Sequence, residues 1–220
     1  MRIKGPEDFQ AQFQVSAETL ERLVVYEELL RRWQKKINLV APSTLDDIWH
    51  RHFADSAQLF RLAPDGARQW VDLGSGAGFP GMVLAILRAD RNGLESDNPH
   101  VLIESDSRKA AFLGEISRKT SVPVDIADTR IELSSTQGRY TSVDVLTARA
   151  LAPLDRLIGL TVPFFGPGTV ALFLKGQDVQ QEIETASRRW RFRYELVDSL
   201  TEQQSRIVVV TGPKAKSEGI

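Results

Sequence analysis

Val71-Asp72-Leu73-Gly74-Ser75-Gly76-Ala77-Gly78-Phe79-Pro80-Gly81 decides how this chain reads. The apolar run Trp70–Leu73 predicts a strand and Gly81–Ala89 predicts a helix, so the glycines join a strand to a helix. Glycines at alternate positions let the backbone turn sharply and approach a ligand where a Cβ would stand in the way. Pro80 suits a helix start, because its missing N–H costs nothing there. In an open α/β sheet this loop lies at the carboxyl end of the first strand, where ligands bind. A dinucleotide fingerprint needs its third glycine at position 79, which is Phe79 here. Asp72 also sets a carboxylate beside the loop, which repels a pyrophosphate and suits the ammonium of an amino acid. S-adenosylmethionine has that ammonium, a ribose and no phosphate. Glu104 ends the next apolar run and can accept hydrogen bonds from both ribose hydroxyls. A nicotinamide or flavin cofactor, or a tight turn with no ligand, are the alternatives.

Outward from this loop, short apolar runs alternate with helical stretches. Strands are expected at Trp70–Leu73, Val101–Glu104, Val122–Ile126, Val143–Thr147, Thr169–Leu174, Phe192–Val197 and Ile207–Thr211. Helices are expected at Gly81–Ala89, Arg108–Thr120, Leu154–Val162 and Val179–Trp190. The alternation implies an α/β fold with a mainly parallel seven-stranded sheet between helices. No helix separates the last two strands, so one of them should be antiparallel. Residues 1–66 read as a small helical N-terminal cap, 67–213 as the ligand-binding domain and 214–220 as a flexible tail. In the cap, Ser16 should start a helix that carries Tyr26, Leu29, Leu30, Trp33 and Ile37 inward. A second helix should open at Ser43 or Thr44, with Asp46 and Asp47 in its first turn. Arg91–Pro99 reads as an exposed loop.

Composition narrows the class. The 220 residues are 42% hydrophobic and 26% charged, ordinary for a globular chain and too apolar for a disordered one. No apolar run approaches the roughly 20 residues that cross a bilayer. Met1–Gln12 lacks the apolar segment of a secretory signal, so a cytoplasmic protein with no membrane partner is expected. There are no cysteines and only three histidines, so no metal site is expected. The net charge of −1 gives no general attraction for nucleic acid, so any such contact must be local.

Several blocks occur together and in order: Asn38-Leu39, Arg51-His52-Phe53-Ala54-Asp55-Ser56, the glycine loop, Glu104–Leu113, Thr147-Ala148-Arg149-Ala150-Leu151-Ala152-Pro153-Leu154 and Leu174-Lys175-Gly176. Together they resemble the glucose-inhibited division protein B family, the bacterial ribosomal RNA small subunit methyltransferases G. The resemblance runs from about Tyr26 to Lys175. It implies a Rossmann-like class I methyltransferase that moves a methyl from S-adenosylmethionine to N7 of a guanosine in 16S ribosomal RNA, free or in the small-subunit particle, leaving S-adenosylhomocysteine. It also implies that Gly74 and Phe79 touch the cofactor in the glycine loop, that Ile131 and Glu132 lie by the adenine, and that Arg149 closes the site near the methionine end. Asp72, Gly76, Gly78 and Glu104 join them as cofactor candidates on the reading of the loop given above. The family has an Arg before its last strand, and Arg206 stands near that place.

Guanine N7 carries a lone pair and no proton, so it needs no general base, and alignment must supply the rate, worth roughly 7–11 kcal/mol in favourable cases. Candidates for holding the base and its phosphate are Arg149, Lys175, Asn38, Arg51 and His52. His52 beside Phe53 reads equally as a structural histidine, and Asp55-Ser56 reads as a brace for the cap. Lys35 and Lys36, with Arg31 and Arg32, form a local basic face on which Glu27 and Glu28 can pair the arginines. Arg188, Arg189, Arg191 and Arg193 interleave with Trp190, Phe192 and Tyr194. That pattern fits phosphate and base contacts, but it fits better the buried face of a strand. The alternatives are a methyltransferase acting on a small molecule or protein, or a non-catalytic nucleotide-binding factor, and a monomer is expected.

Overall fold

A computed structural model describes residues 2–92 and 98–216. One seven-stranded sheet runs in the order β3-β2-β1-β4-β5-β7-β6. The strands are β1 (Trp70–Leu73), β2 (His100–Glu104), β3 (Val124–Asp128), β4 (Val143–Arg149), β5 (Phe165–Lys175), β6 (Trp190–Asp198) and β7 (Arg206–Ala215). Strands β1 to β5 pair in parallel, and β7 runs antiparallel to both β5 and β6. The expected α/β sheet and its reversed strand are therefore present.

The side-chain period of two in β1 sorts its residues between two cores. Val71 and Leu73 pack with Val101, Leu146, Val208 and the apolar faces of α7 (Leu154–Thr161) and α8 (Val179–Arg189). Asp72 points to the other side, under α4 (Gly81–Asn92), where a Cβ on Gly81 would lie 2.6 Å from the Asp72 carboxylate. On that side α1 (Pro6–Phe13) and α2 (Ala17–Gln34) share one apolar core with α4 and α5 (Ser107–Thr120) through Phe9, Leu30, Met82 and Phe112. The cap is thus packed directly on the sheet's helical layer.

Several boundaries differ from expectation. Val122 precedes the third strand, which begins at Val124, because Ser121 closes α5 in the left-handed region and Pro123 cannot donate to a ladder. Ser16 does cap α2, its Oγ accepting from Thr19 N at 3.1 Å, but α2 ends at Gln34 and leaves Ile37 beyond it. The second cap helix starts at Pro42, with Ala41 as N-cap, and not at Ser43 or Thr44. It is a succession of a 3-10 segment (Pro42–Asp47), a π segment (Trp49–Ala54), the short α3 (Asp55–Ala57) and a 3-10 segment (Gln58–Leu62). Asp47 ends the first segment and pairs with Arg2 at 2.8 Å. α1 and the short α6 (Ser134–Arg139) are additional to the expected helices, although Pro6 at the helix start and Glu7 and Asp8 in its first turn mark α1. β7 continues through Lys214 and Ala215, two residues into the expected tail, and residues 217–220 lie outside the described residues. So do residues 93–97 of the expected Arg91–Pro99 loop. Among the described residues no helix is long and apolar enough to cross a membrane.

Candidate functional site

The loop after β1 is held by its neighbour strand. Gly74 N and Ser75 N both donate to the Ile103 carbonyl, at 2.9 and 3.0 Å. Gly74 and Gly76 sit at φ 67° and 56°, the left-handed region where a side chain is strained. Gly76 N donates to Glu104 Oε2 at 2.7 Å, and Asp106 N donates to Oε1 at 2.8 Å. Glu104 is thereby fixed at the rim with lone pairs left on each oxygen. Beside it opens a cavity of about 360 Å³ lined by Gly74, Gly76, Glu104, Ile131, Glu132 and the stretch Arg149–Ala152. Ile103, Ile131, Leu151 and Leu160 give it apolar walls.

Three residues expected at a cofactor face elsewhere. Asp72 is fully buried, and its Oδ1 accepts from Thr147 Oγ1 at 2.6 Å. Its Oδ2 has no partner among the described residues, and burial pushes its carboxyl up to about 6. The strand alternation aims it away from the cavity, so the ammonium role assigned to it is not supported by its position. Gly78 meets the cap: a Cβ there would run into the Tyr26 hydroxyl and would lie 2.9 Å from Met82 Cβ. Phe79 is 3% exposed and stacks on Tyr26 (5.2 Å) and His52 (4.9 Å), so its ring belongs to the core beneath the site. The Tyr26 hydroxyl donates to the Ala77 carbonyl in the same loop.

Arg149 ends β4 at the centre of the rim. It lines the 360 Å³ cavity and two others, of about 470 and 350 Å³. Its guanidinium lies 5.1 Å over the Phe79 ring. Nη1 donates to the Arg51 carbonyl at 3.1 Å and pairs with Asp55 Oδ2 at 3.4 Å, while Nη2 bonds His52 Nδ1 at 2.9 Å. Nε–H is left without a partner among the described residues. The next residue, Ala150, takes φ 52°, a strained position for a side chain, and also lines all three cavities.

The hydrogen bonds assign the tautomer of His52. An arginine can only donate, so Nδ1 accepts and Nε2 carries the proton, which it gives to Thr44 Oγ1 at 2.7 Å. Burial, with the Arg149 and Arg51 charges, lowers its pKa to about 3. His52 is therefore neutral near pH 7 and acts as an acceptor for Arg149. Asp55 does brace the cap, but at both ends: Oδ2 meets Arg149, and Oδ1 accepts from Thr201 Oγ1 at 2.7 Å in the loop before β7.

Lys175 lines the 470 Å³ cavity, but its ammonium is spent on the Ala152 carbonyl and on Glu182 Oε2, both at 2.7 Å. Glu182 also accepts from Leu154 N at 2.7 Å, so the trio fixes the rim loop. Arg51 lines the third cavity and pairs with Glu202 at 3.0 Å. Arg206 opens β7 and is engaged by Asp198 and by the Gln203 and Ser205 carbonyls. Asn38 is exposed and lines none of the three cavities. Lys35 and Lys36 are exposed and unpaired among the described residues, whereas Arg31 pairs with Glu27 and Arg32 with Glu115 of α5, not with Glu28. Thr201, Glu182 and Tyr26 complete the site, and nothing local in the sequence marks them for it. Among the described residues no group of three His, Asp or Glu side chains could hold a metal.

The model of the family described as rRNA small subunit methyltransferase G matches residues 19–209. That span holds the glycine loop, the Arg149 rim and His52. The chain belongs to the rRNA small subunit methyltransferase G family. A relative from Parvibaculum lavamentivorans named ribosomal RNA small subunit methyltransferase G is 48% identical over 96% of this chain and 91% of its own. One of the same name from Rhodospirillum centenum is 50% identical over 91% and 88%. Solved structures share the fold at low identity. An O-methyltransferase from Bacillus cereus superposes with TM-score 0.54 at 14% identity over 90% of this chain and 91% of its own. A methyltransferase from Geobacter sulfurreducens gives 0.55 at 12% over 86% and 87%. The family's methyltransferase fold is thus the one seen here.

Proposed function

We propose that this protein transfers the methyl of S-adenosylmethionine to N7 of a guanosine in 16S ribosomal RNA. The family match over residues 19–209 carries this reading. The rim residues fit the cofactor. Gly74 and Gly76, both in the left-handed region and both lining the cavity, leave backbone without a Cβ facing the cofactor, and a Cβ on Gly74 would also press on the Leu151 side chain of the cavity wall. Glu104 has free lone pairs for ribose hydroxyls, Ile131 and Glu132 flank the adenine, and the open Nε–H of Arg149 suits the methionine carboxylate.

When bound, S-adenosylmethionine supplies an electrophilic methyl group. This chain's residues supply alignment. The His52, Arg51 and Asp55 acceptors fix the Arg149 guanidinium before any ligand arrives, which avoids reorganisation during the reaction. The neutral His52 takes no proton, as attack by an unprotonated N7 requires none. Lys175 and Glu182 hold the Ala152–Leu154 turn between the cofactor cavity and its 470 Å³ neighbour, which is open to the target base. Residues 1–66 act as a cap that closes on the rim through His52. Lys35, Lys36 and Arg51 offer phosphate contacts on the cap side. On this reading the protein works in the cytoplasm as a monomer without a metal.

N7 points into the major groove, which is too deep and narrow in A-form RNA for side chains, so the guanine must be unpaired or flipped out. The test compares a stem–loop bearing the guanosine in its loop with the same sequence locked in a duplex, using labelled S-adenosylmethionine and mapping the methylated atom. Methylation at N7 of the loop guanosine is expected. Transfer to another atom, or equal methylation of both RNAs, overturns the reading.

A further inference from the structure

The arginine-rich stretch Arg188–Tyr194 takes no part in the site above. Trp190 is core: it is buried, and its indole donates to the Asp155 carbonyl at 2.9 Å. Phe192 is half-buried against the same core and meets the Tyr194 ring at 5.8 Å, so the expected buried face holds for these two and ends before Tyr194. Tyr194 is 46% exposed, and Leu196 and Leu200 follow it at 36% and 41%. Leu133 is the other exposed large apolar side chain among the described residues, so three of the four lie along β6 and the loop after it. β6 is the sheet's edge, and no further strand covers it among the described residues.

The start of this line is basic. Arg188, Arg189, Arg191 and Arg193 are exposed, as is Lys214, which lies opposite Arg191 on β7. None of the five is in an ion pair among the described residues. The other end of the line is the site. β7 opposes both β5 and β6, so β6 points the same way as β5 and its carboxyl end reaches the ligand rim. There Thr201, Glu202 and Ser205 line the cavity shared with His52 and Arg149. Nine residues of strand cover about 30 Å.

Charged residues on an edge strand can serve only to block pairing with another chain. That role does not require Tyr194, Leu196 and Leu200 to stay bare between the arginines and the rim. A polyanion with flat apolar faces satisfies both halves: guanidinium groups take phosphates and an aromatic ring takes a base. We propose that this edge is a second RNA contact, on which an unpaired segment of the same 16S rRNA runs to the site, its phosphates on Arg188, Arg189, Arg191 and Arg193 and a base against Tyr194. The proposal rests on 16S rRNA being the substrate.

The test uses the full chain and two RNAs: a complete 16S transcript and a short stem–loop carrying the target guanosine. The variants are Tyr194→Ala and a quadruple change of Arg188, Arg189, Arg191 and Arg193 to Gln. For the transcript, the quadruple variant should raise KM at least about fivefold with kcat unchanged. It should also flatten the log–log salt dependence of binding by about 2–3 units, near 0.7 per lost phosphate contact. Tyr194→Ala should raise KM about five- to tenfold. The stem–loop, too short to span the strand, should be methylated as by wild type. Melting and S-adenosylmethionine binding check the fold, and Arg191→Gln/Arg193→Gln replaces the quadruple variant if that variant is unstable. Wild-type KM and salt slope on the transcript, equal loss on both RNAs, or self-association through this edge in sedimentation would each overturn the proposal. If the wild type methylates neither RNA, the proposed function itself falls, and this contact with it.

Discussion

His52 and Arg149 stand 97 positions apart and meet through one hydrogen bond, Nη2 to Nδ1 at 2.9 Å. That bond joins the helical cap to the sheet's rim. Both groups lie over the Phe79 ring, at 4.9 and 5.1 Å. Arg149 reaches three acceptors from one planar fork, a geometry that a point charge on a flexible stem cannot copy. Arg149→Lys should therefore keep its melting temperature within a few degrees and lower kcat on a loop-guanosine RNA by about 100-fold. Near-normal turnover in this variant would remove Arg149 from the alignment of the reacting groups.

Lys175 calls for the opposite outcome. Its side chain is 8% exposed and its partner Glu182 26%. Lys175→Ala orphans the Ala152 carbonyl and leaves Glu182 without its cation. Buried pairs broken on one side cost about 3–5 kcal/mol, and the part-exposed Glu182 brings this to about 2. A fall in melting temperature of about 4–8 °C is expected, with activity lost in proportion to the loosened loop. A wild-type melting curve with no activity would return Lys175 to direct contact with substrate.

What the sequence reveals depends on how local the cause is. The Gly74–Gly76 turn and the Ser16 cap are readable because each is decided within a few residues. Glu104 is readable because a strand end beside a glycine loop has one face to offer. Asp72 is not, because β1 is buried on both faces and polarity alone does not say which side a carboxylate takes. The role of His52 depends on a π segment that turns it toward a residue 97 positions away, and no periodicity encodes that turn. Lys175 lies at the rim as expected, but Glu182, seven residues on, decides that it is tied down.

Glu104 offers a test of the cofactor rim. Its two oxygens accept from two backbone N–H groups, Gly76 at 2.7 Å and Asp106 at 2.8 Å. An amide has a single acceptor oxygen, so Glu104→Gln turns an NH₂ toward one of those N–H groups. It also replaces an acceptor for the ribose by a donor. One unmade bond costs about 1–3 kcal/mol, so S-adenosylmethionine affinity by calorimetry should fall about 10- to 100-fold. Unchanged affinity would mean that the ribose lies elsewhere.

Asp72 and His52 should pull acid stability in opposite directions. Burial raises the Asp72 carboxyl to about 6, above its ordinary range, so its contribution is full below roughly pH 4 and is lost as pH rises through 6. His52 is lowered to about 3, so its contribution is full above roughly pH 6.5 and is lost as pH falls toward 3. Asp72→Asn keeps an acceptor for Thr147 and removes the buried charge. It also places an unpaired NH₂ where Oδ2 lies, a cost that does not change with pH. The informative quantity is therefore how the difference between variant and wild type changes from pH 4.5 to 7.5. That difference should move in favour of Asp72→Asn by about 2–3 kcal/mol across the range. His52→Gln should do the reverse of the histidine's own effect, flattening the loss of stability on acidification. A difference between Asp72→Asn and wild type that stays constant across this range would show that the Asp72 carboxyl titrates normally in the fold, and that its burial carries no electrostatic cost.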